Sequence, residues 1–270
     1  MDEIKNSDIS AENRAEILNI IENFRLMDDT FMSKVFEDKA CAELLLRVIL
    51  SRDDLTVVRV VSQFELKNLQ GRSARLDIYA VDEHGKQYDV EVQRSDDGAA
   101  PRRARYNSSL LDANLLNPGD KFDELPESYI IFITEHDVLK GGKPLYTVNR
   151  TISELDHAIF TDGSHIIYVN GEIRNGTALG ELMQDFFCKD PREMHYKVLS
   201  DRAGYFKKDK EGVDTMCKLV EDYGNKKTYE QAVRFATKLW NKGERDLQQI
   251  ADLTDLPLDE VKKLFEGKTA

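Results

Sequence analysis

Asp77, Glu91 and Gln93 lie in the stretch ARLDIYAVDEHGKQYDVEVQR, two carboxylates and an amide that come together if the segment folds back on itself. Residues 75–81 and 87–94 alternate apolar and polar side chains, and Glu83-His84-Gly85 between them reads as a three-residue hairpin loop with glycine at the left-handed position. Pairing symmetric about His84 sets Asp77 opposite Glu91 and Arg75 opposite Gln93. Leu76, Ile78 and Ala80 then share a face with Tyr88, Val90 and Val92, while Asp77, Asp89, Glu91 and Gln93 line the other. Like charges directly across a strand pair are destabilising. An oxygen-seeking divalent cation would offset the repulsion, because Mg2+ takes one or two protein carboxylates and completes its shell with water and phosphate. The competing reading is a solvated acidic sheet face with Arg75 as counter-ion.

Such a hairpin needs elements to hold it. Ser10 is placed to cap a helix from about Ala11 to Leu26, with Ile17, Leu18, Ile20, Ile21 and Phe24 as its apolar stripe. Asp29 precedes Phe31, Met32, Val35 and Phe36, and a second helical stretch carrying Cys41, Leu44, Leu45, Val48 and Ile49 follows. Valine-rich Thr56 to Phe64 predicts a strand, and Gln70-Gly71 marks a break before the hairpin. Pro101 suits the first position of a helix through Arg102, Arg103, Arg105, Tyr106, Leu110 and Leu111, which Asn117-Pro118-Gly119 ends. Ser128 to Thr134 is almost wholly apolar, as a central strand buried on both faces would be. The order is α-β-β-β-α-β. His165 to Val169 predicts a further strand and Ala178 to Phe187 a further helix.

From Asp190 the texture turns helical, with stretches at Gly212 to Tyr223, Tyr229 to Asn241 and Asp246 to Phe265. A domain boundary is therefore placed near residue 190, giving units 1–189 and 190–270. The last stretch reads as helix, turn and helix, but its second helix opens on Asp259-Glu260, a poor surface for reading DNA through N-terminal residues. Gly141-Gly142-Lys143-Pro144 lacks phosphate-loop spacing and reads as a tight turn, Trp240 as helix core, and His84 as an exposed loop tip.

Net charge is −12 over 270 residues, all of it on residues 1–189, where 22 Lys and Arg meet 34 Asp and Glu. That balance argues against broad nonspecific binding of nucleic acid and leaves room for a local basic groove around an acidic metal site. Cys41, Cys188 and Cys217 form no CxxC pair and the five histidines no HExxH, so reduced buried thiols are expected rather than a zinc or redox centre. The acidic start and the interruption of Leu44–Leu50 by Arg47 lead to the expectation of a soluble cytoplasmic protein without membrane association.

The ordered α-β-β-β-α-β core, with Asp on the second strand, Glu-x-Gln on the third and basic residues on the next helix, resembles the PD-(D/E)XK nuclease fold. More specifically, DDTFMSKVF, GRSARLDIYAVDEHG, YDVEVQ, RRARYNSSLLDANLL and PESYIIFIT, over roughly residues 25–185, resemble the Rpn family of recombination-promoting nucleases and transposase-like proteins. The resemblance implies an α/β fold with a mixed central sheet flanked by helices, a smaller helical C-terminal region, and metal-dependent DNA endonuclease activity. By the same resemblance Asp77 and Glu91 hold Mg2+, with Mn2+ or Ca2+ as substitutes, and Gln93 stands where the commonest motif has lysine. Asp29 completes the catalytic set, with Glu43 as the alternative; Asp29 could instead be a helix N-cap. A neutral amide at position 93 offers hydrogen bonds but no charge, leaves more of the work to the metal, and would orient the attacking water. Arg102 and Arg105, which share a helix side with Tyr106 while Arg103 points elsewhere, are the better phosphate contacts, with Arg72 and Arg75 reaching the same groove. DNA is the expected partner, RNA stays open, and a homodimer is compatible. The alternative function is a nuclease-fold protein of weak or absent turnover that binds or assembles.

Overall fold

The computed structural model describes residues 11–68 and 71–266, so the Ser10 cap and Gln70 lie outside the described residues. These residues group into two compact units. One is Leu18–Val213; the other comprises the described parts of Met1–Ile17 and Asp214–Ala270.

Helix α1 (Ala11–Asn23) stops short of Leu26. Its end is set by Lys207, whose ammonium takes the carbonyls of Glu22 and Phe24, acceptors that a longer helix would have used itself. α2 (Asp29–Val35) and α3 (Lys39–Leu50) follow, α3 capped by Asp38, whose carboxylate accepts from the Ala40 and Cys41 amides. Both contact β1 (Val57–Leu66), and α2 also contacts β2 (Ala74–Asp82).

β2 turns into β3 (Gln87–Gln93) through a loop with Gly85 at φ 79. The pairs Ile78↔Val90, Tyr79↔Asp89, Ala80↔Tyr88 and Val81↔Gln87 are the register symmetric about His84. α4 (Pro101–Ala113) crosses to β4 (Ser128–Thr134), parallel to β3. β5 (Leu145–Val148), the two-residue β6 (Thr151–Ile152) and β7 (Ala158–Ile159), and β8 (Ser164–Asn170) complete the strands. The main sheet has the order β1-β2-β3-β4-β8-β5 and mixes parallel and antiparallel pairs; β6 and β7 form a separate two-stranded sheet. Both sheet faces of β3 and β4 are covered, which is why β4 reads as an unbroken apolar run. α4 closes one face, where Ala104, Leu110 and Leu111 pack with Tyr79, Ile130, Phe132 and Tyr168.

This unit continues through α5 (Ala178–Phe187) and α6 (Lys197–Lys208), whose Leu199, Ala203 and Phe206 are buried, so its compact part runs on past residue 190. The fold is a mixed α/β sheet flanked by helices, in the expected α-β-β-β-α-β order, with a helical C-terminal region. In that region the two stretches expected around Tyr223 and Tyr229 are one helix, α7 (Lys210–Asn241), because a single Gly224 costs only about 1 kcal/mol in a run of helix formers. α8 (Leu247–Thr254) and α9 (Leu258–Phe265) form the helix–turn–helix, reversing at Asp255 with φ 54. Trp240 stacks on Phe265 with ring centroids 4.4 Å apart, as core.

Candidate active site

The acids of the hairpin are buried rather than solvated. Asp77, Asp89 and Glu91 lie under α4, and Glu91 is 0 % exposed. Asp77 Oδ2 accepts the Val92 amide at 3.0 Å, just past the last ladder pair, so the strand end itself fixes that carboxylate. On the other side of Asp77, Ser62 pairs with Ile78 and Phe64 with Leu76, and Gln63 between them takes a left-handed φ of 53. Irregularities of this kind re-aim side chains beside sites.

Gln93 joins the two carboxylates. Its Nε2 lies 3.4 Å from Asp77 Oδ2 and 3.1 Å from Glu91 Oε2. Its Oε1 accepts from Arg103 Nη1 at 3.1 Å, and a Cβ on Gly98 would collide with this amide, so glycine there makes room for it. Both ends of Gln93 thus bond within the cluster.

The counter-ion is Arg103, not Arg75. The Arg103 guanidinium bonds Glu91 Oε2 through Nη2, while Nη1 also reaches the Gly98 carbonyl at 2.8 Å. Arg75 is exposed on β2 and pairs in register with Glu65 of β1. Asn107, one turn after Arg103, donates to Asp89 Oδ2 at 3.2 Å and to Glu91 Oε1 at 3.3 Å. The sequence reading passed over Arg103 and Asn107. The signal was present: with Leu110 and Leu111 they form an i, i+4, i+7/8 stripe, the face α4 turns to the sheet.

Electrostatics follow from burial. Desolvation, then the charge of Asp29, push the Asp77 carboxyl up to about 6. Desolvation also raises Asp89 and Glu91 strongly, Glu91 further through Asp89 and Asp77, despite the guanidinium beside it. Three buried carboxyls around one guanidinium cannot all be ionised. Glu91 touches Arg103, while Asp89 is wholly buried with Oδ1 lacking a hydrogen-bond partner.

Asp29 stands in the first turn of α2, and the N-cap position belongs to Asp28, which accepts the Arg25 amide and pairs with Arg94. The N-cap reading of Asp29 is therefore wrong, and its charge bears on Asp77 and Glu91. Glu43 is committed elsewhere, to the Val57 amide and Arg47 at 2.9 Å each. Arg102, Arg105 and Tyr106 share the exposed side of α4 as expected. The Tyr106 hydroxyl bonds the Arg72 carbonyl and accepts from Asn68 Nδ2, tying α4 to the β1–β2 connection.

A family model for PD-(D/E)XK nuclease family transposases matches residues 31–175, more than half the chain. The chain belongs to this family. No curated protein and no solved structure matches it significantly. PD-(D/E)XK nucleases generally use divalent metal ions, and here the donors fit such an ion: they are carboxylate oxygens, held above their ordinary pKa by burial first and by neighbouring carboxylates second. Among the described residues no three His, Cys, Asp or Glu side chains form a ready cage. Among the described residues no helix is long and apolar enough to cross a membrane, and the three cysteines are free, Cys188 being only partly buried.

Proposed function

We propose that this PD-(D/E)XK family member is a Mg2+-dependent DNA endonuclease that hydrolyses phosphodiester bonds. The observation that carries the reading is the convergence of Asp77 Oδ2 and Glu91 Oε2 on a single amide nitrogen of Gln93, beneath a helix with arginines on its outer side. Asp77 and Glu91 would hold the ion, with Asp29 adding negative charge from α2. When bound, such an ion supplies Lewis acidity toward a phosphoryl oxygen and a means of ionising water near neutral pH.

The chain's own contribution is preorganisation. The Val92 amide orients Asp77, Asn107 orients Glu91, and Gln93 spaces the pair, so little reorganisation remains when substrate arrives. Arg102 and Arg105 would meet flanking phosphates, with Arg72 and Arg75 along the same groove and Tyr106 holding the helix against it. The Arg103 contact with Glu91 favours a second reading, a nuclease-fold protein that binds without turnover, because it occupies one of the two ligands.

Supercoiled plasmid, single-stranded DNA and RNA incubated with the protein and Mg2+ or Mn2+ separate these readings. Cleavage of DNA is expected. RNA cut with DNA intact would reassign the substrate, and DNA bound but uncut would select the second reading.

A further inference from the structure

The oxygen that Arg103 holds is the one a cation would need. Gln93 Nε2 faces Asp77 Oδ2 and Glu91 Oε2, the carboxylates that would hold an ion between them, and the Arg103 guanidinium already bonds Glu91 Oε2. Two cations cannot both occupy one carboxylate oxygen at ligand distance without strong repulsion.

Arg103 is also built to leave. Its side chain is 36 % exposed against 0 % for Glu91, so it stands at the mouth of the site. Its guanidinium lies 5.8 Å from the Phe132 ring centroid, an aromatic face that can steady a cation while its hydrogen bonds change. Position 93 brings no charge, and Arg103, from the neighbouring helix, is the guanidinium bonded to the Glu91–Gln93 pair.

We propose that Arg103 is the ligand of the scissile phosphate, parked on Glu91 until a divalent cation displaces it toward substrate. The inference rests on the endonuclease reading. In the hydrolysis a water oxygen bonds to phosphorus, the bond to one ester oxygen breaks, and the proton lost by water reaches the leaving oxygen through solvent. Arg103 exchanges no proton; its fork holds the two non-bridging oxygens as their negative charge grows.

The test is calorimetric titration of Mn2+ into the full-length wild type, Arg103→Gln and Arg103→Lys, followed by plasmid nicking with the same preparations. Removing the competing charge is expected to tighten Mn2+ binding in Arg103→Gln by about tenfold while nicking slows about a hundredfold. Arg103→Lys, charged but without the fork, falls between on both measures. Should Arg103→Gln fail to fold, Arg103→Lys decides alone. Unchanged or weaker Mn2+ affinity in the variants, or unchanged nicking, with an active wild type overturns the role of Arg103 and leaves the endonuclease reading standing. A wild type that neither binds Mn2+ nor nicks removes that reading and the inference together.

Discussion

Asn107 lays one amide nitrogen against Glu91 Oε1 and Asp89 Oδ2 from a buried position on α4. One donor thereby sets the orientation of a proposed metal ligand and relieves a second carboxyl. Asn107→Leu keeps the volume and removes the donor, leaving buried acceptors unpaired. Denaturant unfolding is expected to show a loss of about 1–3 kcal/mol. Nicking should fall at least about tenfold, since small misplacements of a reacting group are costly.

Stability should fall as pH rises through neutrality. The folded carboxyls of Asp77, Asp89 and Glu91 are raised above the ordinary range, so between about pH 4 and 7 the folded site retains protons that the unfolded chain has lost. Each retained proton gives a slope of about −1.4 kcal/mol per pH unit in unfolding free energy. Melting from pH 5 to 8 checks this. Asp89→Asn is expected to flatten the slope and to raise the melting temperature most at pH 8; an unchanged slope would remove Asp89 from the carboxyls that retain protons.

Gln63 holds a conformation that favours glycine, opposite Asp77 in the β1–β2 ladder. Gln63→Gly is expected to stabilise by about 0.5–1 kcal/mol, the left-handed penalty outweighing the added chain entropy. Gln63→Val, β-branched, should cost more than about 1 kcal/mol. Equilibrium unfolding of the two variants decides it, and equal stabilities would mean that the strand does not depend on this kink.

Arg102 and Arg105 are exposed on α4, so their loss should act on binding rather than on the acids beneath. Arg102→Ala and Arg105→Ala are each expected to weaken DNA binding and to reduce the slope of log affinity against log salt by about 1. Fluorescence anisotropy across a salt series reads this directly. An unchanged slope would remove these residues from the interface.

The hairpin register, β4 and α5 were legible because each rests on a local pattern: strict alternation about a Gly turn, a β-branched apolar run, and an amphipathic stretch. The edge strand β5 and the two-residue β6 and β7 were not, since Leu145–Val148 is too short and too exposed to carry a period. At the site, Asp77, Glu91 and Gln93 do converge, but which basic residue reaches them depends on how α4 is rotated on the sheet. Reading Arg102, Arg105 and Tyr106 as one face was right about that face; the residue turned away from it, Arg103, is the one bonded to the acids. The Val57 amide that Glu43 accepts from is likewise a tertiary partner and cannot be read from spacing.

The most direct measurement is nicking of supercoiled plasmid at low salt with Mg2+, Mn2+ or Ca2+, using wild type, Asp77→Asn and Glu91→Gln prepared in parallel. Metal-dependent nicking by the wild type, reduced by about a hundredfold or more in both variants while their melting temperatures hold or rise, is the expected result. Equal nicking by all three proteins, or none by folded wild type with any of the metals, would contradict a phosphodiesterase site at Asp77 and Glu91.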